Sequence, residues 1–180
     1  MLGTLKTEPA LSRPDLLAPP VAAGLAAWSD APEEVLVAPI DPALADTAAF
    51  CEAYRVGLDR SANCVVVTGR RGGEARYAAC VVLATSRADV NGVVRRYLDV
   101  RKASFATTED AVARTGMEYG GITPIGLPAG WPVLLDPQVT ATPYVIIGSG
   151  VRHSKMAIPG PALATLPGAV VLDHLGRTLG

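Results

Sequence analysis

An apolar run, a glycine-rich turn and a second apolar run follow one another in the middle of the sequence. Residues 64–68 (CVVVT) are uncharged, and those after Cys64 are β-branched, which is typical of a strand buried on both faces. Residues 69–73 contain three glycines and favour a turn, and residues 75–83 are long enough to return beside the first run. This pattern predicts an antiparallel hairpin, and therefore a sheet, at the centre of the fold.

Short helical and strand-like segments alternate irregularly on both sides of this hairpin. Helices are predicted at residues 21–28, 44–56, 90–98 and 109–115, and further strands at 34–40, 103–105, 133–135, 144–148 and 156–158. Hairpin-like returns outnumber the crossovers that parallel strands need. We therefore predict an α+β fold with a mixed, mostly antiparallel sheet flanked by short helices.

The 180 residues of the chain suit a single domain with one substantial core. We assign residues 19–180 to that domain, and we predict that residues 1–18, which are proline-containing and aperiodic, form a flexible N-terminal arm. Asp136 and Pro137 are predicted to form a turn, and the tail from Pro167 onward is predicted to be loosely held.

Charge and cysteine content exclude several classes of function. A formal net charge of −1 provides no global attraction to nucleic acid, so a polyanion would need a local basic patch. The candidate patch has only Asp99 to oppose it, and it is either a solvated face or a contact for a polyanion such as nucleic acid. Its members are Arg95, Arg96, Arg101 and Lys102. Three widely spaced cysteines without a C-x-x-C motif indicate neither disulfides nor a zinc site and suit a reducing compartment.

The apolar stretch at residues 16–28 does not indicate a membrane segment. Pro19 and Pro20 interrupt it, and it is too short to span a bilayer and lacks the charged start of a signal peptide. We therefore predict a cytoplasmic protein with no membrane partner.

The stretch Gly120–Gly121–Ile122–Thr123–Pro124–Ile125–Gly126 carries the strongest functional signal. Glycines allow positive φ and close approach of a ligand to the backbone, while the proline fixes the direction of the turn. Such a turn can present several N–H donors to a carbonyl oxygen or an oxyanion. Most glycine and proline clusters are plain loops, so composition alone leaves both readings open.

The order of these segments resembles the YbaK-type aminoacyl-tRNA editing domains. These occur as free-standing trans-editing proteins and as the insertion domain of bacterial prolyl-tRNA synthetases. The likeness spans about residues 20–170, and the motifs that carry it are residues 47–49 (TAA), 61–67 (SANCVVV), 118–126 (EYGGITPIG) and 145–150 (VIIGSG). It implies hydrolysis of the ester that links a wrong, small amino acid to the 3′ end of a tRNA. A mischarged tRNA and an aminoacyl-tRNA synthetase are the implied partners, and no metal or organic cofactor is implied.

The resemblance also implies which residues form the site. Backbone N–H groups of the glycine-rich loop would hold the ester carbonyl, and a ribose hydroxyl or a held water would assist, so no catalytic triad is required. The implied catalytic residues are Gly120, Gly121 and Asn63. The implied substrate-binding residues are Thr47, Ile122, Thr123, Pro124, Gly148, Ser149, Gly150 and His153. A helix cap is the favoured reading for Thr47, and an exposed loop is the commoner one for a histidine such as His153, whereas a turn suits Asn63 as well as a site role does.

Asn63 departs from the family pattern, because many members carry a lysine at this position that contacts the tRNA end. An amide offers donors and an acceptor but no charge, and a charge-assisted hydrogen bond is about twice as strong as a neutral one. The alternative function is therefore a non-catalytic module that binds tRNA, a synthetase or a small ligand. A third reading is hydrolysis of an unrelated small ester. The sequence leaves the amino acid, the tRNA and the oligomeric state open.

Overall fold

The computed structural model describes residues 2–180, whose backbone forms eleven strands and five α-helices. The strands are β1 (Glu8–Pro9), β2 (Leu36–Pro39), β3 (Ala62–Arg71), β4 (Glu74–Leu83), β5 (Ser86–Ala88), β6 (Ala103–Phe105), β7 (Val133–Leu135), β8 (Val145–Gly148), β9 (Ser154–Ile158), β10 (Ala169–Val171) and β11 (Gly176–Thr178). The helices are α1 (Pro19–Ala27), α2 (Thr47–Tyr54), α3 (Arg95–Leu98), α4 (Thr108–Thr115) and α5 (Pro137–Ala141).

The predicted hairpin is present as the centre of a five-stranded sheet. Strands β3 and β4 pair antiparallel over their full lengths, and the turn uses Gly72 and Gly73, both with positive φ. The sheet has the order β10-β7-β4-β3-β6, in which β4–β7 and β7–β10 are parallel and the other pairs antiparallel. The predicted mixed, mostly antiparallel α+β architecture is therefore confirmed.

A second, four-stranded antiparallel sheet packs against the first. Its order is β1-β2-β9-β8, and a single parallel bridge between Ser61 and Ile146 joins it to the start of β3. The largest core cluster combines β2, β4, β7, β8, β9 and α1, and includes the fully buried Val37, Val81 and Met156. A separate small cluster lies under α2. The start of β3 is thus held at the junction of the two sheets, beside α2.

The C-terminal tail and the Asp136–Pro137 segment differ from their predictions. Strand β10 pairs with β7, β11 pairs with β5, and Leu175 between them is fully buried. Asp136 caps α5, because its carboxylate accepts a hydrogen bond of 2.9 Å from the Gln138 N–H, and Pro137 occupies the first helical position. Three-residue strands show no periodicity in sequence, and their partners are distant along the chain.

The N-terminal segment, predicted to form an arm, lies against the domain. Strand β1 pairs with β2, and Leu16 and Leu17 are buried in the main core. The Ser154 hydroxyl donates a hydrogen bond of 2.5 Å to the Leu16 carbonyl. The prolines remove helical and strand periodicity from this segment, so its packing is decided by partners more than 20 residues away.

Two helix boundaries also differ in detail. Helix α2 ends at Arg55 in the left-handed conformation, two residues before the glycine expected there. The predicted helix at residues 90–98 begins with a π-helical segment, Val90–Val94, before α3. Within residues 2–180, no helix is long and apolar enough to cross a membrane.

Candidate functional site

A cavity of about 250 Å³ opens where α2, the start of β3, the glycine-rich loop (residues 118–126) and the ends of β8 and β9 meet. Five residues predicted from the sequence line this α2–β3 cavity: Thr47, Asn63, Gly120, Ile122 and Gly148. Seven residues that the sequence analysis did not assign complete the lining: Ala45, Asp46, Ala62, Cys64, Val65, Tyr119 and Lys155. Most of this second group are small or apolar, so the few polar groups stand out.

Thr47 and Asn63 form the polar contact between α2 and β3. Asp46 occupies the N-cap position of α2, and Thr47 is the first residue of the helix. The Thr47 side chain is therefore not used as the cap and can form a hydrogen bond with β3. Its hydroxyl donates a hydrogen bond of 2.6 Å to the Asn63 side-chain oxygen. This bond orients the half-buried amide. Its NH2 group makes no hydrogen bond within residues 2–180 and is available to a ligand.

The glycine-rich loop is built on close backbone contacts that only glycine permits. Gly121 lies against Val151, where a Cβ atom would come within 2.7 Å of the carbonyl oxygen. At Gly148, a Cβ would come within 2.5 Å of the Gly121 carbonyl oxygen and 2.8 Å of that of Ile122. The loop therefore rests directly on the end of β8, and neither glycine has room for a side chain.

The prediction that Gly121 supplies an oxyanion donor does not fit the hydrogen bonds of the loop. Its N–H already donates to the Glu118 carbonyl at 2.9 Å, and its carbonyl accepts from the Gly150 N–H at 2.7 Å. The N–H groups of Gly120 and Ile122 make no hydrogen bond within the described chain, and both residues line the cavity. Of these three residues, Gly120 and Ile122 therefore line the cavity with unpaired N–H groups within residues 2–180, whereas both backbone groups of Gly121 are paired inside the protein.

Arg152 fixes the loop from outside the cavity. Its guanidinium donates hydrogen bonds to the Tyr119 carbonyl at 3.0 Å and to the Pro42 carbonyl at 3.2 Å. Its backbone N–H donates to the Glu118 carboxylate at 3.1 Å. A Cβ at Gly120 would come within 2.3 Å of this guanidinium. Sequence reasoning did not assign Arg152, and the only available signal was its place beside the polar stretch that follows β8.

Three of the predicted substrate-binding residues behind β8 do not reach the cavity. Ser149 is fully buried, and its hydroxyl bonds internally with Ser154 at 2.6 Å. Gly150 packs against α1 and closes the hydrogen-bond pair with the loop. His153 is exposed in the turn before β9, with its ring 3.3 Å from the Asp15 carbonyl. These residues support the site from behind or face the N-terminal segment.

Thr123 and Pro124 also lie off the cavity. Both are buried, and Pro124 lines a separate apolar groove on the other side of the loop. The Thr123 hydroxyl is the one buried side-chain polar atom within residues 2–180 that has no hydrogen-bond partner. Within this loop, Gly120 and Ile122 therefore line the cavity, whereas Thr123 and Pro124 do not.

Lys155 and Cys64 bring two titratable groups to the lining. Lys155 comes from β9, where it is the half-buried residue between the buried Ser154 and Met156, and burial lowers the pKa of its ammonium group. The signal that could have identified it is a single charged residue in the otherwise uncharged strand SKMAI. Burial raises the pKa of the Cys64 thiol, so this residue is a neutral apolar lining group at physiological pH. Within residues 2–180, no cluster of histidine, cysteine or acidic residues could hold a metal ion.

The predicted basic patch is divided between two surfaces. Arg101 and Lys102 line a depression with Arg70, beside the β3–β6 pairing. Arg96 lines a different depression near the C-terminal strand, and Arg95 donates a hydrogen bond to a carbonyl of its own helical turn. Asp99, the acid expected to oppose the patch, instead pairs with Arg71 at 2.6 Å.

Comparisons with known proteins support the resemblance drawn from the sequence. A family model for the aminoacyl-tRNA editing domain matches residues 41–166, which is more than half of the chain and contains the whole lining of the cavity. No curated protein matches the sequence.

Solved structures share the fold at low identity. One, named "a putative trans-editing enzyme for prolyl tRNA synthetase", is 20% identical over 91% of this chain and 97% of its own, with a TM-score of 0.71. Another, named "hypothetical protein APE2540", is 17% identical over 80% of this chain and 92% of its own, with a TM-score of 0.70. The matched segment and its cavity point to the same conclusion: the chain belongs to the aminoacyl-tRNA editing domain family.

Proposed function

We propose that this protein is a trans-acting aminoacyl-tRNA deacylase, which hydrolyses the ester between a wrongly attached small amino acid and the 3′ end of a tRNA. Membership of the editing-domain family supports the reaction class. The observation that carries the proposal is the convergence of unpaired donors on one cavity. Gly120, Ile122 and Asn63 all line it, and within residues 2–180 neither the N–H groups of the first two nor the NH2 group of Asn63 has a hydrogen-bond partner.

These donors suit an ester hydrolysis in which the protein supplies electrostatic stabilisation. A water oxygen attacks the ester carbonyl carbon, and negative charge develops on the carbonyl oxygen. Preorganised N–H donors stabilise that charge, and loss of one such donor costs about 10²–10³-fold in rate. The bond to the ribose oxygen then breaks, that oxygen takes up a proton, and the amino acid leaves as the acid. The neutral Cys64 thiol contributes packing, not nucleophilic attack.

The lining of the cavity suits an apolar amino acid as the group removed. Ala45, Ala62 and Cys64 form apolar walls in a space of about 250 Å³. An apolar pocket separates substrates by only about 1–3 kcal/mol per methylene group. Such walls would distinguish amino acids by the shape and size of their side chains and not by recognition of a polar group.

The depression at Arg70, Arg101 and Lys102 is the candidate contact for the tRNA backbone. Gly69 on β3 pairs with Ala103 next to this depression, and six residues separate it from Asn63 along the strand. At 3.3–3.4 Å per residue, the depression lies about 20 Å from the cavity. This separation suits an acceptor stem that crosses the sheet while its 3′ end enters the cavity.

Deacylation of a panel of mischarged tRNAs by the whole chain tests the proposal. Wild type should release a small mischarged amino acid and leave the correctly charged tRNA intact. Gly121→Ala should lose this activity, because a Cβ has no space against Val151. Gly180→Ala is the matched control, since the same change there meets no atom within 4 Å and the residue does not have a positive φ.

A protein that releases no amino acid from any tRNA, even at high concentration, would contradict the deacylase proposal. The non-catalytic binding module would then be the better description. Thermal unfolding of each variant separates loss of chemistry from loss of fold. Asn63→Ala, which removes an amide without adding volume, provides a second and milder test of the site.

A further inference from the structure

We propose that Lys155 is a catalytic residue of the α2–β3 cavity, whose ammonium group donates a hydrogen bond to the ester carbonyl oxygen and stabilises its developing charge. This inference rests on the proposed deacylase function. It assigns the positive charge of the site to β9, a different strand from the one that carries Asn63.

The strand register directs Lys155 toward the glycine-rich loop. Lys155 lies directly opposite Gly148 on β8 and opposite Ala38 on β2. Residues directly opposite each other in antiparallel strands project from the same face of the sheet. A Cβ on Gly148 would meet the carbonyl oxygens of Gly121 and Ile122, so this face is the one that the loop covers. The long side chain of Lys155 therefore leaves the sheet between two small neighbours, on the face that the loop covers, and lines the α2–β3 cavity.

Lys155 has no anionic partner within residues 2–180. Its ammonium nitrogen makes no ion pair or hydrogen bond there, and it lies 5.4 Å from the centre of the Phe50 ring. Asp46 is the carboxylate of the cavity lining, but its side chain is 77% exposed and approaches Arg152 at 3.9 Å. A half-buried charge without a partner costs stability. Burial also lowers the pKa of the ammonium group, as expected for a charge held away from solvent without compensation.

An ester in the cavity would supply the missing partner. Its carbonyl oxygen becomes negative during attack by water, and the ammonium group would donate to it without giving up its proton. Charge-assisted hydrogen bonds are about twice as strong as neutral ones, so Lys155 adds what the Asn63 amide cannot. Because Asn63 and Lys155 line the same cavity from different sheets, both can act on one carbonyl group.

The test uses single-turnover release of the amino acid from a mischarged tRNA at saturating protein. Lys155→Met keeps most of the apolar volume and removes the charge, and the rate should fall about 10²–10³-fold while the half-saturating concentration changes by less than about threefold. Lys6→Met is the matched control, because Lys6 is exposed and distant in sequence from every lining residue. Its rate should equal that of wild type.

A second variant moves the charge across the cavity. Asn63→Lys in the Lys155→Met background should recover at least about tenfold of the lost rate, because the ammonium would reach the same carbonyl from β3. If Lys155→Met retains the wild-type rate, or if its loss of rate follows a loss of thermal stability, the inference is wrong although the deacylase function stands. A wild type that releases no amino acid overturns both.

Discussion

The Thr47 hydroxyl donates a hydrogen bond of 2.6 Å to the side-chain oxygen of Asn63, and this bond joins the first turn of α2 to the start of β3. Because the hydroxyl donates to the amide oxygen, the bond fixes which end of the Asn63 amide carries the NH2 group. Within residues 2–180 this NH2 group has no partner, and neither do the N–H groups of Gly120 and Ile122, which line the same cavity.

Thr47→Val should therefore lower the deacylation rate by more than its loss of folding stability can explain. Valine keeps the shape of threonine but cannot orient Asn63, so we expect a loss of about 0.5–1.5 kcal/mol in the free energy of unfolding and a larger fall in rate. Urea unfolding and single-turnover release measure the two effects. Thr140→Val is the control, because that hydroxyl bonds within α5, away from the cavity. Equal rates for the two variants would argue against a role for the Thr47–Asn63 bond.

Gly148→Ala should destabilise the protein as well as inactivate it. The added methyl group would meet the carbonyl oxygens of Gly121 and Ile122, which are backbone atoms and cannot rotate away. Overpacking of this kind costs about 1–3 kcal/mol. Thermal unfolding of Gly148→Ala beside Gly180→Ala, whose added methyl group meets no atom within 4 Å, measures the difference. A Gly148→Ala protein as stable as wild type would show that the loop can lift from β8.

Lys155→Met should stabilise the protein at pH 7 while it lowers activity. The substitution removes a half-buried ammonium without a partner and keeps an apolar chain in its place, and such changes commonly add about 0.5–2 kcal/mol. Urea unfolding of wild type, Lys155→Met and the exposed control Lys6→Met tests this expectation. A destabilised Lys155→Met protein would indicate that the lysine has a structural role.

The stabilising effect of Lys155→Met should shrink as pH rises. Burial lowers the pKa of Lys155 below 10.5, with Arg152 adding to the effect and Cys51 and Asp46 opposing it, and Tyr119 is a further titratable lining group. Between the lowered pKa and 10.5, the unfolded chain binds more protons at this residue than the folded one. The destabilising effect of the Lys155 charge therefore falls as pH rises through that window, and it is absent well above 10.5. The unfolding free energies of wild type and Lys155→Met should converge at alkaline pH, and a constant difference would contradict this account.

Replacement of Arg101 and Lys102 by glutamine should weaken the salt dependence of tRNA binding. Each contact to a phosphate contributes about 0.7–0.9 to the slope of log affinity against log salt, so the double variant should lose about 1.4–1.8. Competition by uncharged tRNA at several salt concentrations measures the slope. The double variant Lys6→Gln with Arg87→Gln is the control of equal charge, because both residues are exposed and neither lines the depression. An unchanged slope in the double variant would exclude this depression as a tRNA contact.

The sequence determined the central hairpin, the rigid loop and the family, because each of these depends on residues close together in the chain. Alternating and continuous β-branched runs specify β3 and β4, and glycine and proline specify a turn wherever they cluster. The resemblance placed Thr47 and Asn63 separately in the site, but their hydrogen bond was not predicted and is seen only in the structure.

The tertiary structure alone decided which groups face the cavity. The Gly121 N–H donates to the Glu118 carbonyl, and the His153 ring lies beside the Asp15 carbonyl, so neither group is directed to the cavity. Lys155, from the distant strand β9, lines it instead. The tertiary structure also decided the strands of the C-terminal tail and the packing of the N-terminal segment, because their partners are far away in sequence. Local sequence sets the conformation of a segment, but the direction of a side chain depends on strand register and on the element packed across from it, and these form only when distant parts of the chain meet.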